Sequence, residues 1–175
     1  MALPKLDTPT YQLELPSNQQ VIKYRPFLVK EQKILIMAQD ADNKEDTYSM
    51  LSEIIDGCTF NTIDISNMPL FDFEYLFMQI RCKSVGESAE VSVLCPDDNI
   101  TRVPVTIDLS EVDVQIEDTH NNVIGVNENI KIIMKYPTVN DIKDVNDAEV
   151  LKNAMKLIKT CIHEIHDGDT IHNTI

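Results

Sequence analysis

Four glycines are too few for a phosphate-cradling loop. Neither G-x-G-x-x-G nor a P-loop can be assembled from them, and no G-x-S-x-G elbow or H-E-x-x-H pair occurs. Cysteine is equally sparse: Cys58, Cys82, Cys95 and Cys161 are scattered and form no C-x-x-C pair. That pattern points to reduced, buried thiols in a cytosolic setting rather than to a disulfide or zinc framework. No run approaches the roughly 18 apolar residues of a membrane span. Met1 to Pro16 also lacks the apolar segment of a signal peptide, so neither membrane insertion nor export is expected. Basic side chains are in deficit, with 15 Lys and Arg against 29 Asp and Glu, a formal net charge of -14. A field of that sign repels polyphosphate and anionic lipid, which argues against nucleic-acid and membrane partners. It suits solubility at high concentration or a basic partner.

What is present reads as one compact unit of 175 residues, divisible at 1–87 and 88–175. "TYQLEL" and "QVIKYR" alternate apolar and polar residues as strands do, with "PSNQ" as the turn of a hairpin. "LVKEQKILIMAQ" spaces Leu28, Ile34, Leu35 and Ala38 as a helix. After a polar loop, "DADNKED", a second helix places Met50, Leu51, Ile54 and Ile55 on one face, and Gly57 is expected to end it. The third helix is "MPLFDFEYLFMQIRCKSVGE", which holds four of the ten aromatic residues. Ser66 or Asn67 is expected to cap it, and Pro69 to sit in its first turn. Arg81 and Lys83 complement its negative pole, and Gly86 closes it. Phe73, Phe77 and Ile80 form a stripe, with Leu70 and Leu76 beside it and Phe71 and Tyr75 on an adjoining face. This apolar surface is wider than one packing contact requires.

From Ser88 the period turns alternating. "AEVSVLC", "TRVPVTIDL" and "VDVQIED" read as strands with "PDDN" as a turn, and "NNVIGVNENIKIIMKYP" adds one or two more through Gly125 to Asn129. An antiparallel meander over 88–136 is therefore expected, with Pro104 marking an edge. "NDAEVLKNAMKLIKTCIHEIHDGD" predicts a long amphipathic helix capped by Asn146, lined by Leu151, Ala154, Ile158, Cys161 and Ile165, and ended by Gly168. Nothing further is expected to pack in "TIHNTI". The fold class is thus α+β: an N-terminal hairpin and helical bundle, an antiparallel β-meander, and a long C-terminal helix.

Candidate chemistry is thin, and no catalytic residue, cofactor or metal is assigned. His163 and His166 would share one face of that last helix near Asp167 and Asp169, which leaves a small metal-dependent enzyme as the competing class. Asp97 and Asp98 fit turn chemistry better than a carboxylate dyad. Tyr24, Arg25 and Lys30 make a basic patch beside Phe27, either a helix start with a packing anchor or a contact site. The candidate partner-binding residues are Arg25, Phe27, Lys30, Phe71, Tyr75, Arg81 and Lys83.

Three blocks, "ALPKLDTPTYQLELPS", "KYRPFLVKEQKILIMA" and "LFDFEYLFMQIRCKSVGE", resemble those of the T4-like bacteriophage baseplate protein family, in the same order and spacing over about residues 2 to 168. The resemblance implies a late phage protein, a hub subunit needed to assemble the centre of the contractile tail baseplate, and no catalysis. It implies other hub and tail proteins as partners, the tape-measure protein among the candidates, and leaves a homo-oligomer open. Its expected place is the host cytoplasm during assembly and then the virion tail baseplate. The alternative is a tail assembly chaperone for the tape-measure protein that is absent from the mature virion. The resemblance implies that some relatives carry a cysteine pair where this chain has "CPDDN", a departure that speaks against a metal role here, and that relatives tend to continue past "HEIHDGD" with an acidic helical tail.

Overall fold

The computed structural model describes residues 8–39, 44–142 and 150–173. Strands β1 (Tyr11–Glu14) and β2 (Val21–Tyr24) form the expected antiparallel hairpin. Its turn is held by the Gln20 N–H donating to Asn18 Oδ1 at 2.9 Å, and Gln19 takes a left-handed φ of 58°. Period-two alternation sends Ile22 and Tyr24 inward. The chain then enters α1 (Val29–Gln39), where the Leu28 N–H donates to Glu31 Oε2 at 2.8 Å, as the carboxylate of a capping box does.

Helix α2 (Lys44–Cys58) packs Ile54 and Ile55 into the interior with no exposed surface. Gly57 does not end it. The helix runs on through Gly57, and the chain turns at Phe60 and Asn61, both with positive φ. Gly57 serves space instead: a Cβ there would lie 3.0 Å from Glu31 Oε1. Much of the "DADNKED" segment lies outside the described residues, and its Lys44 already belongs to α2.

Helix α3 (Leu70–Val85) begins later than Ser66 or Asn67 would require, with Pro69 in the capping position and no side-chain cap. Neighbouring chain replaces the cap. The Leu70 N–H donates to Pro137 O at 2.9 Å, and Ser17 donates through its N–H (3.1 Å) and hydroxyl to the buried carboxylate of Asp72. Gly86, at φ 126°, closes the helix with its N–H on Cys82 O. Phe73, Leu76 and Ile80 are buried at 1%, 0% and 0% exposure, each stabilising by about 1.5–3 kcal/mol. With Leu15, Ile22, Tyr24, Ile54, Ile55 and Met68 they build the core. Among the described residues beyond 87, Val139 alone joins that cluster of buried residues.

The second half is thinner than one meander. Strands β3 (Ser88–Leu94) and β4 (Arg102–Asp108) pair antiparallel as a two-stranded ribbon. Pro104 lies in it at an edge, as expected. "VDVQIED" is not a strand: the Asp108 carboxylate accepts from Ser110 N–H and starts a 3₁₀ turn, Leu109–Glu111, that leads the chain off the ribbon. Strands β5 (Val123–Gly125) and β6 (Ile130–Met134) form the next hairpin. After the short α4 (Val139–Ile142) comes α5 (Val150–Thr160).

The predicted long C-terminal helix stops at Thr160. Cys161 is buried, and Ile162–Asp167 is strand β7, hydrogen-bonded to β6 on one side and to β8 (Thr170–Asn173) on the other. Helical spacing of Ile158, Cys161 and Ile165 is real, but β6 offers an open ladder, and pairing with it overrides the local pattern. Gly168, at φ 56°, turns the β7–β8 hairpin rather than capping a helix. "TIHNTI" therefore contributes a strand, where no further packed element was expected. The proposed cap Asn146 lies outside the described residues, as does the side chain of Leu151.

Candidate docking surface

The adjoining face of α3 meets its own chain before it meets anything else. Phe71 and Tyr75 are half-buried. The Phe71 ring stands edge-on to Tyr136 at 4.9 Å between centroids. His120 lies parallel to the Tyr136 ring, its Nε2 2.8 Å from the Tyr136 hydroxyl. Together Phe71, Val114, Ile116, His120 and Tyr136 wall one open groove. Beyond His120 and Tyr136 a second groove of about 720 Å³ is lined by Asn67, Pro69, Asn122, Thr138 and His163. Tyr75 lines a third cleft with Gln19, Asp113 and Ile116, where burial, and then the charge of Asp113, raises the pKa of its hydroxyl. The segment expected as a strand, "VDVQIED", thus borders α3 and shapes this surface. The groove beside Phe71 is walled mainly by aromatic and aliphatic side chains, with His120 and Tyr136 together, whereas the other two are lined by a mixture of polar and apolar residues.

The other candidates fall elsewhere. Arg25 and Glu31 form an ion pair at 2.9 Å, with side-chain exposures of 12% and 4%. Arg25 also donates to Pro26 O at 3.0 Å. Phe27 packs against Phe77 with centroids 6.1 Å apart, and its N–H donates to Ser84 Oγ. Both therefore have roles inside the fold. Lys30 is exposed and pairs with Glu53 at 3.3 Å. Arg81 donates to Gly86 O at 2.8 Å and more weakly to Ser88 O, holding the base of the ribbon to α3. Lys83 pairs with Glu87 at 2.7 Å and lies over the Tyr11 ring. The seven residues do not converge on one patch.

His163 and His166 occupy a strand, where a spacing of three places them on opposite faces, not on one face of a helix. Glu164 lies between them, its Oε2 2.9 Å from His166 Nε2 and its Oε1 3.7 Å from His163 Nε2. Among the described residues no group of three His, Cys, Asp or Glu side chains could hold a metal ion. Asp98 performs turn chemistry: hydrogen bonds from the Thr101 hydroxyl and from the Ile100 and Thr101 N–H groups pull its pKa to about 2. Burial pushes the Cys58 thiol up to about 12, far from a reactive thiolate.

Tyr136 and His120 carry no motif of their own and were not among the expected site residues, and the β3–β4 ribbon, expected as part of one meander over 88–136, forms a two-stranded sheet of its own. Register puts Ala89, Val91, Val93, Val103, Val105 and Ile107 on one face. The valines and Ile107 remain at least 37% exposed. Alternation normally reports one buried face; here that face is left exposed among the described residues. No helix among the described residues is long and apolar enough to cross a membrane.

A family described as T4 bacteriophage base plate protein matches residues 8–174. No curated protein matches the chain. No solved structure does either.

Proposed function

Because the chain belongs to the T4 bacteriophage base plate protein family, we propose that it is a non-enzymatic hub subunit or assembly protein that binds other tail proteins while the contractile tail baseplate is built. Membership itself points to a structural or assembly role in a phage baseplate, associated with the virion tail. The observation that carries the finer reading is the amount of shaped apolar surface left uncovered: the grooves around Phe71, His120 and Tyr136, and the valine face of the β3–β4 ribbon. Among the described residues the buried core draws on the hairpin, the helices and the loop before α3, with Val139 as its one member from the second half, which leaves much of that half for contacts. Assembly takes place in the host cytoplasm, and the acidic charge keeps the free chain dispersed until partners arrive.

Mass spectrometry of purified mature tails, together with pull-downs of co-expressed tail proteins, tests this. A hub subunit is recovered from both. A chaperone of the tape-measure protein, the second reading, is recovered from the pull-down with that protein and is missing from tails. Absence from both sinks the assembly role.

A further inference from the structure

We propose that the outer edge of β3 accepts an added strand from another protein, an extended segment that alternates apolar residues with lysine or arginine. The inference rests on the reading that this chain binds tail proteins, and it names how.

The ladder bonds decide which edge is open. The Cys95 N–H donates to Thr101 O at 2.8 Å and the Leu109 N–H to Glu87 O at 2.7 Å, each extending the ribbon by one step. In this register the odd-numbered residues form the hydrogen-bonded pairs, and the even-numbered ones direct N–H and C=O groups outward. Pro104 pairs with Ser92 at an even position. Its ring nitrogen therefore costs no bond to β3, but it removes the central donor from the outer edge of β4 and sets a ring there. A proline at this point protects an edge against strand addition. β3 has no such block. Arg81 covers Ser88 O, and Arg102 makes only a 3.4 Å approach to Ser92 O. The N–H groups of Glu90, Ser92 and Leu94 meet no acceptor among the described residues. One edge of the ribbon is closed and the other is available.

Charge and face define the occupant. An added strand continues the apolar face beside Val91 and Val93, so alternate residues must be apolar. Its remaining side chains fall on the opposite face beside Ser88, Glu90, Ser92 and Leu94, where Arg102 approaches Ser92 O. Arg102 is the one basic side chain between Glu87 and Asp118, a stretch that includes Glu90, Asp97, Asp98, Asp108, Glu111 and Asp113. A second copy would bring the same acidic ribbon and its own charge of -14 against this edge. A strand carrying lysine or arginine is the complementary choice.

The test uses the purified full chain and a fluorescently labelled peptide alternating valine and lysine, followed by anisotropy. The peptide is expected to bind, and more weakly as salt rises. Ser92→Pro, which closes β3 as Pro104 closes β4, should weaken binding by about ten-fold or more while the thermal transition holds. If that substitution disturbs the ribbon, the same peptide N-methylated at alternate residues carries the test with the protein unaltered, and it should fail to bind. Val91→Thr with Val93→Thr should weaken binding several-fold. No binding of the valine–lysine peptide, equal binding to S92P in a folded state, equal binding of a valine–glutamate peptide, or sedimentation showing the chain paired with itself through this edge each overturns the proposal. Recovery of the chain in mature tails beside a negative peptide result would remove this edge alone and leave the baseplate reading in place.

Discussion

Arg25 Nη2 stands 2.9 Å from Glu31 Oε1, beneath the passage from β2 into α1, and the same carboxylate holds the Leu28 N–H through its other oxygen. Glu31 thus joins the hairpin to the helices. Breaking a buried pair by removing one partner leaves the other charge uncompensated, which costs more than the pair itself contributes. Glu31→Gln should destabilise the chain by about 3 kcal/mol. For a chain of this size that lowers the midpoint of thermal unfolding by about 6–12 °C, read by circular dichroism.

The same pair sets a pH dependence. Burial pushes the Glu31 carboxyl upward, but the Arg25 hydrogen bond and backbone N–H donors together outweigh it, and its pKa lies below the usual value. A depressed folded-state pKa contributes stability that is present above the unfolded-state pKa and lost as pH falls through the folded one. The gap in stability between wild type and E31Q is therefore expected to be full at neutral pH and to close progressively below the normal glutamate range. Urea titrations over that acid range measure it, and a gap that stayed constant would contradict the ion pair.

Gly57→Ala separates helix propensity from packing. Alanine in a helix interior is favoured over glycine by about 0.8–1 kcal/mol. At this position the new methyl would meet Glu31 Oε1 at 3.0 Å, with Arg25 Nη2 at 3.8 Å. The expected sign is destabilising, by about 1–3 kcal/mol. A rise in the denaturation midpoint would show that the neighbouring carboxylate yields.

Phe73 and Phe71, two residues apart on α3, should respond differently. Phe73→Ala opens the core, where exposure is 1%, and is expected to cost about 3–5 kcal/mol. Phe71→Ala loses chiefly its contact with Tyr136, worth about 0.5–1.5 kcal/mol beyond its buried area. It should leave a cooperative unfolding transition while reducing recovery of tail proteins in the pull-down.

The thiols give a probe of the folded state. Cys58, Cys82 and Cys161 are buried and Cys95 is half-buried beside the exposed turn. With its pKa pushed to about 12, Cys58 should stay unmodified by a thiol reagent at neutral pH until the chain unfolds. Cys95 should react first, as mass mapping of the labelled peptides would show.

The hairpin and the three helices were legible because their apolar residues recur at the period of the element and their turns use Asn, Gly and Pro. Two signals misled. Gly57 and Gly168 both resemble helix stops, yet one makes room for a carboxylate and the other turns a hairpin; only the surroundings distinguish these uses. Ile158, Cys161 and Ile165 fit a helix as well as they fit a helix ending in a strand, and the choice was made by β6, which lies far away in the sequence. The surface around Tyr136 and His120 was illegible for the same reason: neither residue has a neighbour in sequence that explains it. Pro104 was informative at the level of residue type, and the register then showed which edge it closes.

Among the described strands, the other pairs join sequence neighbours through short turns or loops, and β6 with β7 is the exception, since α4 and α5 come between them. Local hairpins and helices close quickly, whereas a pairing between distant segments must first overcome the entropy of a large loop. The four-stranded sheet should thus mature last, with its central seam as the slow kinetic step. A pulse of hydrogen exchange during refolding would find the amides of Lys131 and Ile133, the β6 positions hydrogen-bonded to β7, protected after those of the N-terminal hairpin.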